Sequence, residues 1–288
     1  MSNGYNQPGI RIRWLPIALA ILGALYIMAR GCQEGPFGRH QVVALSPEQE
    51  AQLGEQTYQK ILGQEQVVRE GKAVDAVQRV GRRLAGAAGS EEFLAASQLQ
   101  PQKFVWEFQL VRSNQVNAFC LPGGKVVVYT GLLPVAKNEA GLATVLGHEI
   151  GHALAHHGAE RIAQQEIVQI GEIAASQSID NLSLGQRQQL IALLGAGSQV
   201  GVLLPFSRKH ESEADHLGLL LMSAAGYDPA QAIDFWQRME EQGKSSKSEF
   251  LSTHPSHERR IHDLQGWVPA AQEIYQKRKA PNRSASGS

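Results

Sequence analysis

The chain has 288 residues, and 27 lysines and arginines balance 27 aspartates and glutamates, so the formal net charge is zero with histidine neutral. Charged residues make up 19% and hydrophobic ones 43%, which excludes a disordered or collagen-like chain; zero net charge argues against a nucleic-acid binder, which needs a clustered basic surface. Two cysteines cannot make a disulfide framework, and the length allows one large domain or two small ones around a packed core.

In chain order, a polar start (1–13) carrying Arg11 and Arg13 leads into an uncharged apolar run from Trp14 to Ala29, closed by Arg30. Such a run makes about 24 Å of helix, slightly under the roughly 30 Å hydrocarbon core, and Arg13 and Arg30 can snorkel. Residues 14–31 read as an uncleaved membrane anchor, with 14–29 in the bilayer; a lipoprotein signal ending at Cys32 and a cleaved signal peptide are the alternatives. Arg11 and Arg13 stay inside, which puts the bulk of the chain on the extracytoplasmic or periplasmic side. Residues 32–45 read as a Gly/Pro-containing linker. Ser46-Pro47-Glu48 is a helix start, and helical patterning runs from Leu53 to Leu62 and from Val74 to Leu84. Phe104, Trp106, Phe108 and Leu110 alternate with their neighbours as in a strand, and Val126–Tyr129 is a second strand after the turn Pro122-Gly123-Gly124. Nearly everything from Glu139 is helical. The expectation is one mostly helical α+β domain over 46–275, with a polar tail over 276–288.

Residues 148–152 read His-Glu-Ile-Gly-His. They continue the apolar helical stripe of Leu142, Val145, Leu146 and Ile150, with Asn138 as N-cap and Gly158 as stop. On a helix, positions i and i+4 project from one face, so His148 and His152 can hold one metal ion. Glu149 lies about 100° round the axis, beside the metal, where a general base can take a proton from metal-bound water. A catalytic zinc typically takes three protein ligands. The metzincin spacing fails, because Ala155 and Gly158 stand where glycine and histidine are required. The third ligand is then sought in Glu211-Ser-Glu-Ala-Asp215. Glu211 and Asp215 share a helical face, so one can bind metal while the other orients a ligand histidine; Glu213 is the runner-up. Neither Cys32 nor Cys120 has metal-ligand spacing, and Cys120 reads as a small buried residue. His216, His257 and His262 read as exposed helix residues.

These residues, with Pro205–Asp215, Ala225-Gly-Tyr-Asp-Pro229, Asn117–Gly124 and Ser252-Thr-His-Pro-Ser256, resemble the HtpX-like and CAAX-protease-like zinc metallopeptidases. The single-anchor branch, with mitochondrial inner-membrane stress peptidases and bacterial envelope quality-control peptidases, is most similar. The resemblance implies a gluzincin-type zincin fold with a small sheet beside the active helix. It also implies one zinc per subunit on His148, His152 and Glu211, with Glu149 as base. At most one membrane span sets this chain apart from the multi-span members and their prenylated-peptide substrates.

An oxyanion needs a further electrophile, and His254, Arg260 and Arg208 are the candidates. Pro255 biases His254 away from the α region, onto a loop that either stabilises the oxyanion or supplies a fourth zinc ligand that holds the enzyme latent. Asn117-Ala118-Phe119 or Val126-Val127-Val128 is expected to offer a sheet edge on which an extended or misfolded polypeptide pairs as an added strand. The expected function is a membrane-tethered zinc metalloendopeptidase of envelope quality control; the alternative is a catalytically silent chaperone or adaptor on the same fold.

Overall fold

The computed structural model describes residues 12–178, 185, 206–245, 249–255 and 259–279. The chain divides into a smaller unit (Met1–Gln33, Gln41–Ala44 and Ala159–Leu204) and a larger one (Glu34–His40, Leu45–Gly158 and Pro205–Ser288). Among the described residues, Ala159–Ser178 thus falls in the same unit as the N-terminal helix. Helix α1, Trp14–Gly31, is the one helix among the described residues long and apolar enough to cross a membrane, and it leaves Trp14, Leu15, Leu19, Leu22 and Tyr26 exposed. Ile170, from the helix His157–Ser178, reaches the bare backbone of Gly23, and the Arg13 N–H donates to the Ser178 carbonyl (2.8 Å).

The elements after α1 are β1 (Cys32–Glu34), β2 (His40–Val42), α2 (Pro47–Gln64), β3 (Val67–Val68), α3 (Lys72–Ala87), α4 (Glu91–Ser97), β4 (Glu107–Val111), β5 (Ala118–Leu121) and β6 (Lys125–Tyr129). There follow α5 (Leu133–Ala136), α6 (Glu139–Leu154), α7 (His157–Ser178), α8 (Arg208–Ala224), α9 (Gln231–Ser245), α10 (Glu249–Thr253) and α11 (Arg260–Lys279). Helix α2 begins as its sequence dictates: Ser46 and Gln49 form a reciprocal capping box with Pro47 in the first turn.

The sheet of the larger unit has the order β3-β4-β6-β5. Strand β6 is central, parallel to β4 and antiparallel to β5, and all five of its residues are buried. Val126–Val128 therefore cannot be the open edge, which corrects one of the two candidates. Strand β5 pairs only with β6 among the described residues and lies against α6.

Helix α6 is capped by Asn138, whose Oδ1 accepts from the Gly141 N–H (2.8 Å), and it is buried on every side from Gly141 to Leu154, as an all-round apolar helix must be. It packs on α8 through glycine. A Cβ on Gly218 would stand 2.7 Å from the His148 main-chain nitrogen, so bare backbone lets the two helices approach. Helix α6 ends at Leu154 and not at the expected Gly158. His156 adopts a left-handed backbone (φ 55°), which histidine enters more readily than most residues, and its Nδ1 pairs with Glu50 (2.9 Å); Gly158 lies inside α7.

Candidate metal centre

Helix α6 presents His148, Glu149 and His152, helix α8 presents Glu211, and the residue after α10 is His254; all five are buried. One ligand atom from each of His148, His152, Glu211 and His254 lies within 4.8 Å of the others. His148 Nε2 is 3.1 Å from His152 Nε2, 3.3 Å from His254 Nδ1 and 3.6 Å from a Glu211 oxygen. His152 Nε2 and His254 Nδ1 lie 3.4 Å and 3.0 Å from the other Glu211 oxygen. Four donors about 2.0–2.1 Å from a tetrahedral zinc stand about 3.3 Å apart, so the spacings fit such an ion.

The donor chemistry fits as well. His148 Nδ1 is 2.9 Å from Asp215 Oδ1, and a carboxylate only accepts, so Nδ1 carries the proton and Nε2 keeps a bare lone pair. That lone pair faces another imidazole nitrogen and a carboxylate in a dry interior, an arrangement a cation stabilises. Glu149 Oε1 is buried without a hydrogen-bond partner, 3.5 Å from His254 Nε2. A polar atom left so is expected to meet a reactant or an ion.

Electrostatics follow from burial. Desolvation raises the Glu149 carboxyl above its ordinary range, while His254 and His148 pull it back. Burial drives the His152 imidazole well below its ordinary range and keeps it neutral, the form that ligates metal. Burial also pushes Glu211 up, but its close neighbours His152 and His254 outweigh it and hold the carboxyl far below its usual value. For His254 burial favours the neutral ring, but the charges of Glu149 and Glu211 prevail and raise it.

Arg260 is fully buried at the start of α11. Its Nε donates to Asp215 Oδ2 (2.7 Å), its Nη2 donates to Glu211 Oε2 (2.6 Å), and the guanidinium lies 4.0 Å over the Trp236 ring. One cation thus holds the two carboxylates that share a face of α8. Arg208, the other arginine candidate, is exposed and is not among these groups. Glu213, the runner-up ligand, turns to His157 (2.7 Å) and Arg39 (2.9 Å) instead. Of the later histidines, His262 is exposed. His216 is not: it stacks between Phe37 and Trp267 at 4.4 and 4.5 Å, and burial lowers its pKa to about 4. His257 lies outside the described residues.

Sequence reasoning missed the walls. Phe206, Trp236 and Phe250 pack at 4.1 Å from His152, 5.2 Å from His148 and 4.6 Å from His254; as lone aromatics they carry no spacing signal. Asn117, Ala118 and Phe119 lie at the start of β5: the Asn117 carbonyl accepts from the Tyr129 N–H (3.0 Å), Ala118 is buried, and Phe119 packs edge-on against Tyr129 (6.1 Å). Further along β5, the Cys120 main chain lies near enough to lower the Glu149 carboxyl, and β5 packs on α6, so this edge strand runs beside the cluster.

A mostly helical domain with a small sheet and a His-Glu-x-x-His helix facing a glutamate helix is the zincin-type architecture of metallopeptidases. Residues 75–268 match the model of peptidase family M48, and the chain belongs to that family. It is 46% identical over 169 residues to the mitochondrial metalloendopeptidase OMA1 of Schizosaccharomyces pombe, covering 58% of this chain and 48% of that protein. Against the Saccharomyces cerevisiae protein of the same name, identity is 38% over 186 residues, covering 60% and 50%. Against the beta-barrel assembly-enhancing protease of Escherichia coli it is 29% over 224 residues, covering 76% and 44%. The chain spans about half the length of these relatives.

Proposed function

We propose that the chain is a zinc-dependent metalloendopeptidase, tethered to a membrane by helix α1, that cuts extended or misfolded polypeptides on the extracytoplasmic side. The observation that carries this reading is the convergence of His148, His152 and Glu211 on one point with the unpartnered Glu149 Oε1 beside it. Those three residues would hold the metal, one ion per subunit, which when bound supplies Lewis-acid polarisation of a carbonyl and acidifies a water towards a pKa of about 7. Glu149, its proton affinity raised by burial, takes the proton of the attacking water and delivers it to the leaving amine. Asp215 and Arg260 keep His148 and Glu211 in place. The outer edge of β5, from Asn117 through Phe119, accepts the substrate main chain as an added strand. Main-chain pairing is largely blind to side chains, which suits a peptidase that meets many unfolded chains.

His254 favours a second statement about the resting state. Catalytic zinc keeps one position open, whereas four protein ligands make a closed site. His254 Nδ1, at 3.0 Å from Glu211 and 3.3 Å from His148, suits the fourth position, so this arrangement is read as a latent enzyme that opens when His254 withdraws. His254→Ala should then raise peptide hydrolysis while weakening zinc binding; a fall in turnover at unchanged zinc affinity would instead assign His254 to the oxyanion.

The activity itself is tested by metal removal. Dialysis of the full chain against a chelator should abolish casein hydrolysis, and one equivalent of zinc should restore it. Hydrolysis that survives chelation would overturn the proposal, and zinc binding without hydrolysis in His254→Ala and wild type alike would favour the silent adaptor.

A further inference from the structure

A second polar group is buried beside the cluster and has no part in the chemistry above. It starts at the backbone break on His156. Had α6 continued, His157 would point about 140° away from His152 round the axis. The left-handed turn at His156 brings it back, so that His157 Nδ1 lies 2.9 Å from His152 Nδ1. His157 Nε2 is 2.7 Å from Glu213 Oε2, and the ring stacks on His210 with centroids 4.4 Å apart. Arg39, from the segment read as a linker, grips Glu213: its Nε donates to both carboxylate oxygens (3.0 Å each) and its Nη2 lies 2.9 Å from one of them.

Only one arrangement of protons satisfies this chain when His157 is neutral. Arginine only donates and a carboxylate only accepts, so the His157 proton sits on Nε2 and is given to Glu213. His157 Nδ1 is then an acceptor. His152 must donate from its own Nδ1, which leaves its Nε2 lone pair aimed at His148, Glu211 and His254. We propose that His157, Glu213 and Arg39 are positioning residues that lock His152 in the tautomer and ring orientation required of a metal ligand. The inference rests on the metal reading above and extends it to three residues, one of them in the segment between the anchor helix and the catalytic body.

The test is zinc affinity of the full chain by competition with a chromophoric chelator, together with the visible spectrum of the cobalt(II)-loaded protein. Loss of such an outer partner typically weakens metal binding by about 10- to 100-fold. His157→Phe keeps the ring stack and removes both hydrogen bonds, so it should show that loss and a shifted cobalt spectrum. His157→Gln, with one acceptor and one donor, should recover part of the affinity, and Arg39→Gln should lose less than His157→Phe. A folded His157→Phe with wild-type zinc affinity and an unaltered cobalt spectrum overturns the proposal. Should that variant fail to fold, Glu213→Ala decides: weakened zinc binding supports the relay and wild-type affinity overturns it. Wild-type protein that binds no zinc overturns the metal reading and the relay together, whereas zinc-binding wild type with an unaffected His157→Phe overturns the relay alone.

Discussion

The two histidines of helix α6 are held by unlike flanks. On the His148 flank one carboxylate, Asp215, accepts the hydrogen bond of the ring N–H directly, and Arg260 binds Asp215 and Glu211 together in a fully buried site. On the His152 flank a second histidine stands between ring and carboxylate, and Arg39 binds Glu213 and no proposed metal ligand, at a site less deeply enclosed. Both flanks end in an arginine, but only one arginine also neutralises a ligand. The first flank should therefore carry fold and metal together, and the second mainly the orientation of one ring.

Substitutions can break that contrast. Arg260→Met should have the largest effect, because it strands two carboxylates in the interior; the expected loss is about 3–5 kcal/mol of unfolding free energy, read by urea titration. Arg39→Met measured the same way should lose clearly less, and equal losses would erase the distinction between the flanks. Gly218→Ala should come next, at about 1–3 kcal/mol from overpacking, because the added Cβ meets the backbone of Gly147 and His148. Since Gly218 sits on the helix that bears Glu211, zinc affinity should fall with stability; unchanged zinc affinity would uncouple helix approach from the site. Asp215→Ala should weaken zinc binding by about 10- to 100-fold and at least as much as His157→Phe. The smallest effect concerns neither flank but the β5 edge. A denatured protein should be digested faster than its native form, and preferential cleavage of the native form would remove the edge from the account.

The legible part of the molecule was the part written in short-range spacing. His148, Glu149 and His152 announce themselves because four residues return to one helical face, and Glu211 with Asp215 repeats that signature on α8. Ser46 and Asn138 mark helix starts through side-chain capping, which is equally local. Residues whose role depends on distant partners were read less well. Arg208 and Arg260 look alike in sequence, and only packing against Trp236 and two carboxylates separates the buried one from the exposed one. His157 has no role in the sequence reading, because its place beside His152 depends on a backbone break at His156. Glycine after the helix suggested a stop at Gly158, yet Glu50, far away in the chain, stabilises the earlier one. The alternation from Phe104 overstated the strand, which starts at Glu107, and the aromatic walls carried no signal at all.

The central claim is that Glu149 acts beside a metal and not on it. The most direct measurement is zinc content and casein hydrolysis of Glu149→Gln against wild type, both as full-length chain. The account predicts one zinc per chain in each protein, with hydrolysis lowered about 100- to 10,000-fold in the variant. Wild-type hydrolysis by Glu149→Gln, or loss of zinc from it, would contradict the account.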